Sequence, residues 1–166
     1  MTLNPDALYR AHGPSLFQYL MRMSGDADVA SDVLQDTFRT LLERPPHAQT
    51  SLRGWLFRVA TNRLRDEQRG AARRLRMLPG AAANAHSDPQ PSPDRAVIEG
   101  EARAYARALL ESLPERDRQI LLLREEGFTH REIAEQVGTT TKSVGTLIAR
   151  ALDRVSKVAL TPERTS

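Results

Sequence analysis

At 166 residues, with 40% hydrophobic and 27% charged residues and a net charge of +3, the chain has the composition of a soluble globular protein of one domain or two small ones. The absence of cysteine excludes a disulfide framework, a thiolate metal site and a cysteine nucleophile. Aromatic content of 5% leaves a core of Leu, Val, Ile and Ala, a mix that suits helices, so an all-α protein is expected.

The N-terminus MTLNPDALYR has no cationic segment leading into an apolar one, and the longest strongly apolar run, Ile120 to Leu123, is far too short to span a bilayer. A cytoplasmic protein without membrane insertion is expected. Leu8, Leu16, Phe17 and Leu20 form a first helical stripe, with a kink or break expected near Gly13 and Pro14. Asp26 is placed to cap a second helix, in which Val29, Val33, Leu34, Phe38, Leu41 and Leu42 recur at helical spacing. The segment RPPHAQT ends it, because Pro45 and Pro46 cannot continue a helix.

Ser51 is placed to cap a third helix that buries Leu52, Trp55, Leu56, Val59 and Ala60. Its other side carries Arg58, Asn62, Arg65 and Arg69, at intervals of four, three and four residues: a single polar face. Charge is unevenly placed along the chain. From Arg53 to Arg76 there are eight arginines against Asp66 and Glu67, whereas from Asp26 to Glu43 there are five carboxylates against Arg39. One segment seeks anions and its neighbour does not, unless both are merely solvated helix faces.

From about Gly70 to Pro93 the pattern fails: the segment is rich in Ala, Pro, Gly, Ser and Asn, and reads as a flexible linker. Two domains are expected, over residues 1–72 and 96–162, with the linker at 73–95. Helical periodicity returns near Asp94. Pro114 lies near a helix start and Gly127 is positioned to end that helix.

In FTHREI, Thr129 and Glu132 form a capping box, and Phe128 and Ile133 the ends of a hydrophobic staple. Ala134 allows a close helix crossing, Ile133 and Val137 point into a shared core, and Gly138 sits where a turn needs positive φ. Thr140 caps the next helix, whose inward stripe is Val144, Leu147 or Ile148, Ala151 and Leu152. This is the pattern of a helix-turn-helix, the alternative being an ordinary helical hairpin in a bundle core. Such a motif sets the N-terminal part of its second helix in the major groove, making Thr140, Thr141, Lys142, Ser143, Thr146 and Arg150 the base-edge and phosphate candidates.

Taken together, SDVLQDTF at 31–38, SLRGWLFRVATNRLRDEQR at 51–69 and LPERDRQILLLREEGFTHREIAEQVGTTTKSVGTLIARA at 113–151 resemble the two conserved regions of the extracytoplasmic-function (ECF) group of bacterial sigma factors, in the sigma-70 family. The resemblance implies a first domain that binds core RNA polymerase and opens promoter DNA at the minus-ten element, and a second that binds the minus-thirty-five element. Asp32, Gln35 and Asp36 match the polymerase-binding motif, and Asp28, Asp32 and Asp36 follow one another at four-residue intervals, a face suited to arginines of a partner.

The face of Arg58, Asn62, Arg65 and Arg69 matches the segment that handles minus-ten DNA, and the loop from Arg44 to Thr50 the place where an unstacked base is captured. Trp55 is a second candidate for base stacking, although a tryptophan on an apolar helix side reads first as core. Arg116, Arg118 and Arg124 are placed for DNA backbone contacts, or equally are surface arginines paired beside Glu115 and Asp117. Gly145 and Leu147 depart from the family, in which basic residues are common in this helix, so the promoter sequence does not transfer. The resemblance also implies an anti-sigma partner, although no residue of the chain identifies one.

Two rival readings are a free-standing helix-turn-helix regulator that binds duplex DNA without polymerase, and a helical scaffold whose charges serve solubility. His12, His47, His86 and His130 are dispersed, without metal-ligand spacing or a phosphate-cradling glycine loop. No enzymatic activity and no cofactor are expected.

Overall fold

The computed structural model describes residues 3–78 and 97–160, apart from the side chains of 97–99. Among these residues only helices are found: α1 Pro5–Ser24, α2 Ala27–Glu43, α3 Leu52–Met77, α4 Val97–Ser112, α5 Glu115–Glu125, α6 His130–Val137 and α7 Thr141–Leu160. The chain divides into two compact units, Met1–Ser92 and Pro93–Ser166. Helix α3 continues through residues 73–77, which the sequence pattern had assigned to the linker, and residues 79–96 lie outside the described residues. No described helix is long and apolar enough to cross a membrane.

In the N-terminal unit, α1, α2 and α3 each pack on the other two. The Asn4 side chain accepts from the N–H groups of Asp6 and Ala7 at the head of α1, and Pro5 opens the helix where a missing N–H costs nothing. Helix α1 is not broken at Pro14. The proline sits inside a continuous helix on its exposed side, where water can hydrogen-bond the carbonyl that loses its partner. Gly25, at φ 70°, ends α1, and Asp26 caps α2 by accepting from Asp28 and Val29 N–H at 2.9 and 3.2 Å.

The core of this unit is Leu16, Tyr19, Leu20 and Met23 of α1, Ala30, Val33, Leu34 and Leu41 of α2, and Leu56, Phe57, Ala60 and Leu64 of α3. Leu42 is 53% exposed although Leu41 beside it is fully buried, because it points about 100° round α2 from the buried stripe. The buried stripe of α3 lies roughly 100° round the helix from the expected one. Leu56 and Ala60 are buried as expected, but Phe57, Thr61 and Leu64 complete the stripe, and Leu52, Trp55 and Val59 are only half-buried. Tyr19 sets this rotation: its ring lies 5.0 Å from that of Phe57, and its hydroxyl meets Thr61 Oγ1 at 2.8 Å. Thr61 Oγ1 in turn donates to the Phe57 carbonyl at 2.7 Å, so its proton is committed and Tyr19 is the donor to Thr61.

Thr61→Val removes the acceptor that the buried Tyr19 hydroxyl uses on α3. A loss of about 1 kcal/mol, that of one hydrogen bond, is expected in urea unfolding; a change under about 0.3 kcal/mol would show that this bond does not hold α1 to α3.

His12 is half-buried, and burial followed by the nearby Arg53 charge lowers its pKa below the ordinary histidine value. The unfolded chain therefore binds this proton more readily. Stability is fully present above the ordinary value and falls as pH drops from there towards the folded-state value. His12→Gln should flatten that part of a pH–stability curve, and an unchanged curve would exclude His12 as its source.

In the C-terminal unit, α7 packs on α4, α5 and α6, and α5 also packs on α6. The core is Leu113, Ile120, Leu122, Leu123, Phe128, Ile133, Ala134, Val144, Ile148 and Ala151. The Arg118 guanidinium turns back onto the end of α4, donating to the carbonyls of Leu110 at 2.9 Å and Leu113 at 3.3 Å. Buried Asp117 pairs with Arg154, tying α5 to α7. Gly127, at φ 86°, turns the chain into α6, where both reciprocal capping-box bonds are made: Thr129 N–H to Glu132 at 2.7 Å and Glu132 N–H to Thr129 Oγ1 at 3.2 Å. Phe128 and Ile133 are both buried, as a staple requires. Gly138, at φ 71°, ends α6, and Thr140 caps α7 through the Ser143 N–H at 3.3 Å.

Candidate functional site

The N-terminal unit carries two surfaces of opposite charge, and α3 contributes to both. Where α3 passes α2, a recess of about 210 Å³ is lined by Val29, Asp32, Val33, Asp36, Arg63, Asp66 and Glu67. Asp32 is exposed, while Asp36 lies 3.4 Å from Arg39 and 3.9 Å from Arg63. Arg63 also donates to Thr40 Oγ1 at 2.6 Å, which holds its guanidinium against α2. Four carboxylates and one arginine thus line the recess, with Asp36 also facing Arg39 and Glu67 facing Arg74 at 3.4 Å, a surface with acidic groups to offer a cationic partner.

Of the expected acidic residues, Asp32 and Asp36 line this recess. Asp28 and Gln35 do not; both are exposed elsewhere on α2. Asp66 and Glu67 were missed because, along the chain, they look like offsets within an arginine-rich segment. The missed signal is spacing: Arg63, Asp66 and Glu67 prolong the α3 side begun by Leu52, Leu56 and Val59.

On another side of α3, centred roughly 120° round the helix from the recess residues, Arg58, Asn62 and Arg69 are exposed and Arg65 is half-buried. The four side chains fall within about 60° of the helix circumference, away from Leu56, Ala60 and Leu64. Because of the rotation, half-buried Trp55 flanks Asn62 and is not one of the core residues. The loop at 44–50 is exposed except for half-buried Pro46. Arginines on one rotationally narrow ridge, with an amide and an indole beside them, suit phosphate contacts, base-edge hydrogen bonds and stacking in that order.

In the C-terminal unit, Thr140, Thr141, Lys142, Thr146 and Arg150 are exposed on α7. Ser143 is half-buried, and its hydroxyl shares a 2.7 Å hydrogen bond with that of Thr140, so these two serve the cap. Leu147 is half-buried. Leu152, expected inside, is 43% exposed. Of the three arginines expected to reach DNA backbone, Arg116 and Arg124 are exposed, whereas Arg118 is engaged on the end of α4. Among the described residues no group of three or more metal-ligating side chains gathers.

Residues 8–74 match the family described as sigma-70 region 2, and residues 103–155 that described as sigma-70, region 4. The ECF RNA polymerase sigma factor SigL of Mycobacterium tuberculosis is 31% identical over 135 residues, which cover 80% of this chain and 75% of SigL. The chain belongs to the ECF group of sigma factors. The probable ECF sigma factor SigI of Mycobacterium tuberculosis is 30% identical over 91% of this chain, and the chain spans about half of SigI, 54% of its length. In fold, this sigma factor is similar to the sigma factor RpoE of Bartonella quintana, solved with the anti-sigma factor NepR, at a TM-score of 0.66 and 20% identity over 90% of this chain and 92% of that one.

Proposed function

We propose that this sigma-family chain directs core RNA polymerase to promoters. The α2–α3 recess docks on the polymerase through Asp32 and Asp36, joined by Asp66 and Glu67. The ridge of Arg58, Asn62, Arg65 and Arg69, with Trp55 at its edge and the 44–50 loop nearby, receives the minus-ten element. The exposed start of α7, from Thr140 to Thr146, with Arg150 behind, reads the minus-thirty-five element. The observation that carries this reading is the pair of oppositely charged surfaces to which α3 contributes: an acidic recess for a protein and a basic ridge for nucleic acid, on different sides of one helix.

Only two cations, Lys142 and Arg150, stand among the α7 candidates, so duplex affinity is expected to be weak in isolation. Delivery by polymerase makes that contact effectively intramolecular, which lets a weak contact suffice. The work is cytoplasmic, where polymerase and promoters meet. By likeness to RpoE, an anti-sigma factor is a fitting regulator, since a protein covering either surface of α3 blocks initiation.

Run-off transcription of genomic DNA with purified core polymerase tests the proposal. Start sites that require the chain are expected. Their absence, together with tight duplex binding without polymerase, would favour a free-standing helix-turn-helix regulator.

A further inference from the structure

Gly145 lies in the second turn of α7, exposed, among Thr141, Lys142, Thr146 and Ala149, all exposed as well. A glycine within a helix gives up backbone entropy that alanine would not, so its presence there asks for a reason. The backbone supplies none: the glycines at positive φ are Gly25, Gly127 and Gly138. Packing inside the unit supplies none either. A Cβ at Gly145 would meet only the His130 imidazole, with Cε1 at 3.8 Å, an ordinary van der Waals contact. A Cβ at Gly70 or Gly100 would meet nothing within 4 Å either, but neither glycine lies on the exposed start of α7.

We infer that Gly145 is a specificity-determining position of the promoter-reading helix, kept bare so that the α7 backbone can lie against duplex DNA more closely than a side chain would allow. The inference rests on the proposed role of α7. Closer approach brings short side chains such as Thr141 and Thr146 within reach of base edges that longer residues would otherwise be needed to touch. It also turns the departure from the family pattern into a reading device: this helix trades cationic contacts for proximity.

The test is Gly145→Ala in the full chain, assembled with core polymerase, on a promoter located by run-off transcription. Alanine is the clean variant, since its Cβ meets His130 only in ordinary van der Waals contact. Its melting temperature should rise by a few degrees, because the fold gains helix propensity and loses nothing. Binding of promoter DNA should fall by roughly five- to a hundredfold, the range of one spoiled base-pair contact. The ranking of single-base variants of the upstream element should change too, which a merely structural role would not cause.

Lys142→Ala is run alongside to test the role of α7 itself. If Lys142→Ala weakens promoter binding and Gly145→Ala does not, the inference fails and the role of α7 stands. If neither weakens it, both fail. A lower melting temperature for Gly145→Ala would overturn the inference by showing that the fold itself needs the glycine.

Discussion

Replacing Asp32 and Asp36 together by lysine is expected to weaken binding of core RNA polymerase by at least about a hundredfold, with the helical fold retained. Each substitution changes the local charge by two units, and both positions line the recess that Arg63, Asp66 and Glu67 complete. Close charge pairs at interfaces couple by about 1.5–7 kcal/mol, so reversing two of them exceeds the roughly 2.7 kcal/mol that a hundredfold loss requires.

The fold should tolerate the change. Asp32 is exposed and the Asp36 side chain is 45% exposed, so neither lysine is buried. The pairs lost, Asp36 with Arg39 and with Arg63, are surface pairs worth about 0–1 kcal/mol each. Asp28→Lys is the informative control, since Asp28 lies outside the recess and should cost far less, whereas Glu67→Lys should weaken binding although it lies on α3. Titration of labelled core polymerase, beside a circular-dichroism melt, measures both parts. Unchanged binding by the double variant would remove the recess from the polymerase interface.

How far the sequence reached is clearest at helix ends. Asp26, Ser51, Thr129, Gly138 and Thr140 were readable because a cap is a local device: a side chain within three residues of the N–H it satisfies, or a glycine where φ turns positive. Which side of a helix faces inward was less readable. Helix α3 has apolar residues on two flanks, and the choice of Phe57 and Leu64 over Leu52 and Trp55 depends on Tyr19, 38 positions before Phe57 in the chain. That is tertiary information, and the 3.6-residue period alone does not contain it.

The same limit applies to charge. Counting along the chain made residues 53–76 simply basic, while folding sorts Asp66 and Glu67 to one side of α3 and Arg58 and Arg69 to another. The partners of Arg118 were not legible for a related reason: they are backbone carbonyls at and just past the end of the preceding helix, which no residue type in the sequence marks. A reading that places charges by helix face as well as by segment would have recovered the recess, but not Arg118.

The second large effect is expected from Arg58→Glu, Arg65→Glu and Arg69→Glu combined, which should reduce polymerase-dependent transcription to below about 1% while leaving polymerase binding intact. Removing three phosphate contacts lowers the salt dependence of promoter binding by about two to three units of log–log slope, and the added glutamates repel the backbone that the arginines attracted. Polymerase binding should survive because the acidic recess lies on another side of α3, where none of the three residues is a lining residue. Arg65 is half-buried, so its reversal carries some risk to the fold. The exposed pair Arg58→Glu and Arg69→Glu therefore serves as a second variant, expected to lose at least about tenfold. If the triple variant binds polymerase and still opens the promoter at the normal rate, the ridge does not touch the minus-ten element. If it loses polymerase binding and transcription together, the two surfaces of α3 are not independent, and the separation of a protein-facing side from a DNA-facing side fails with them.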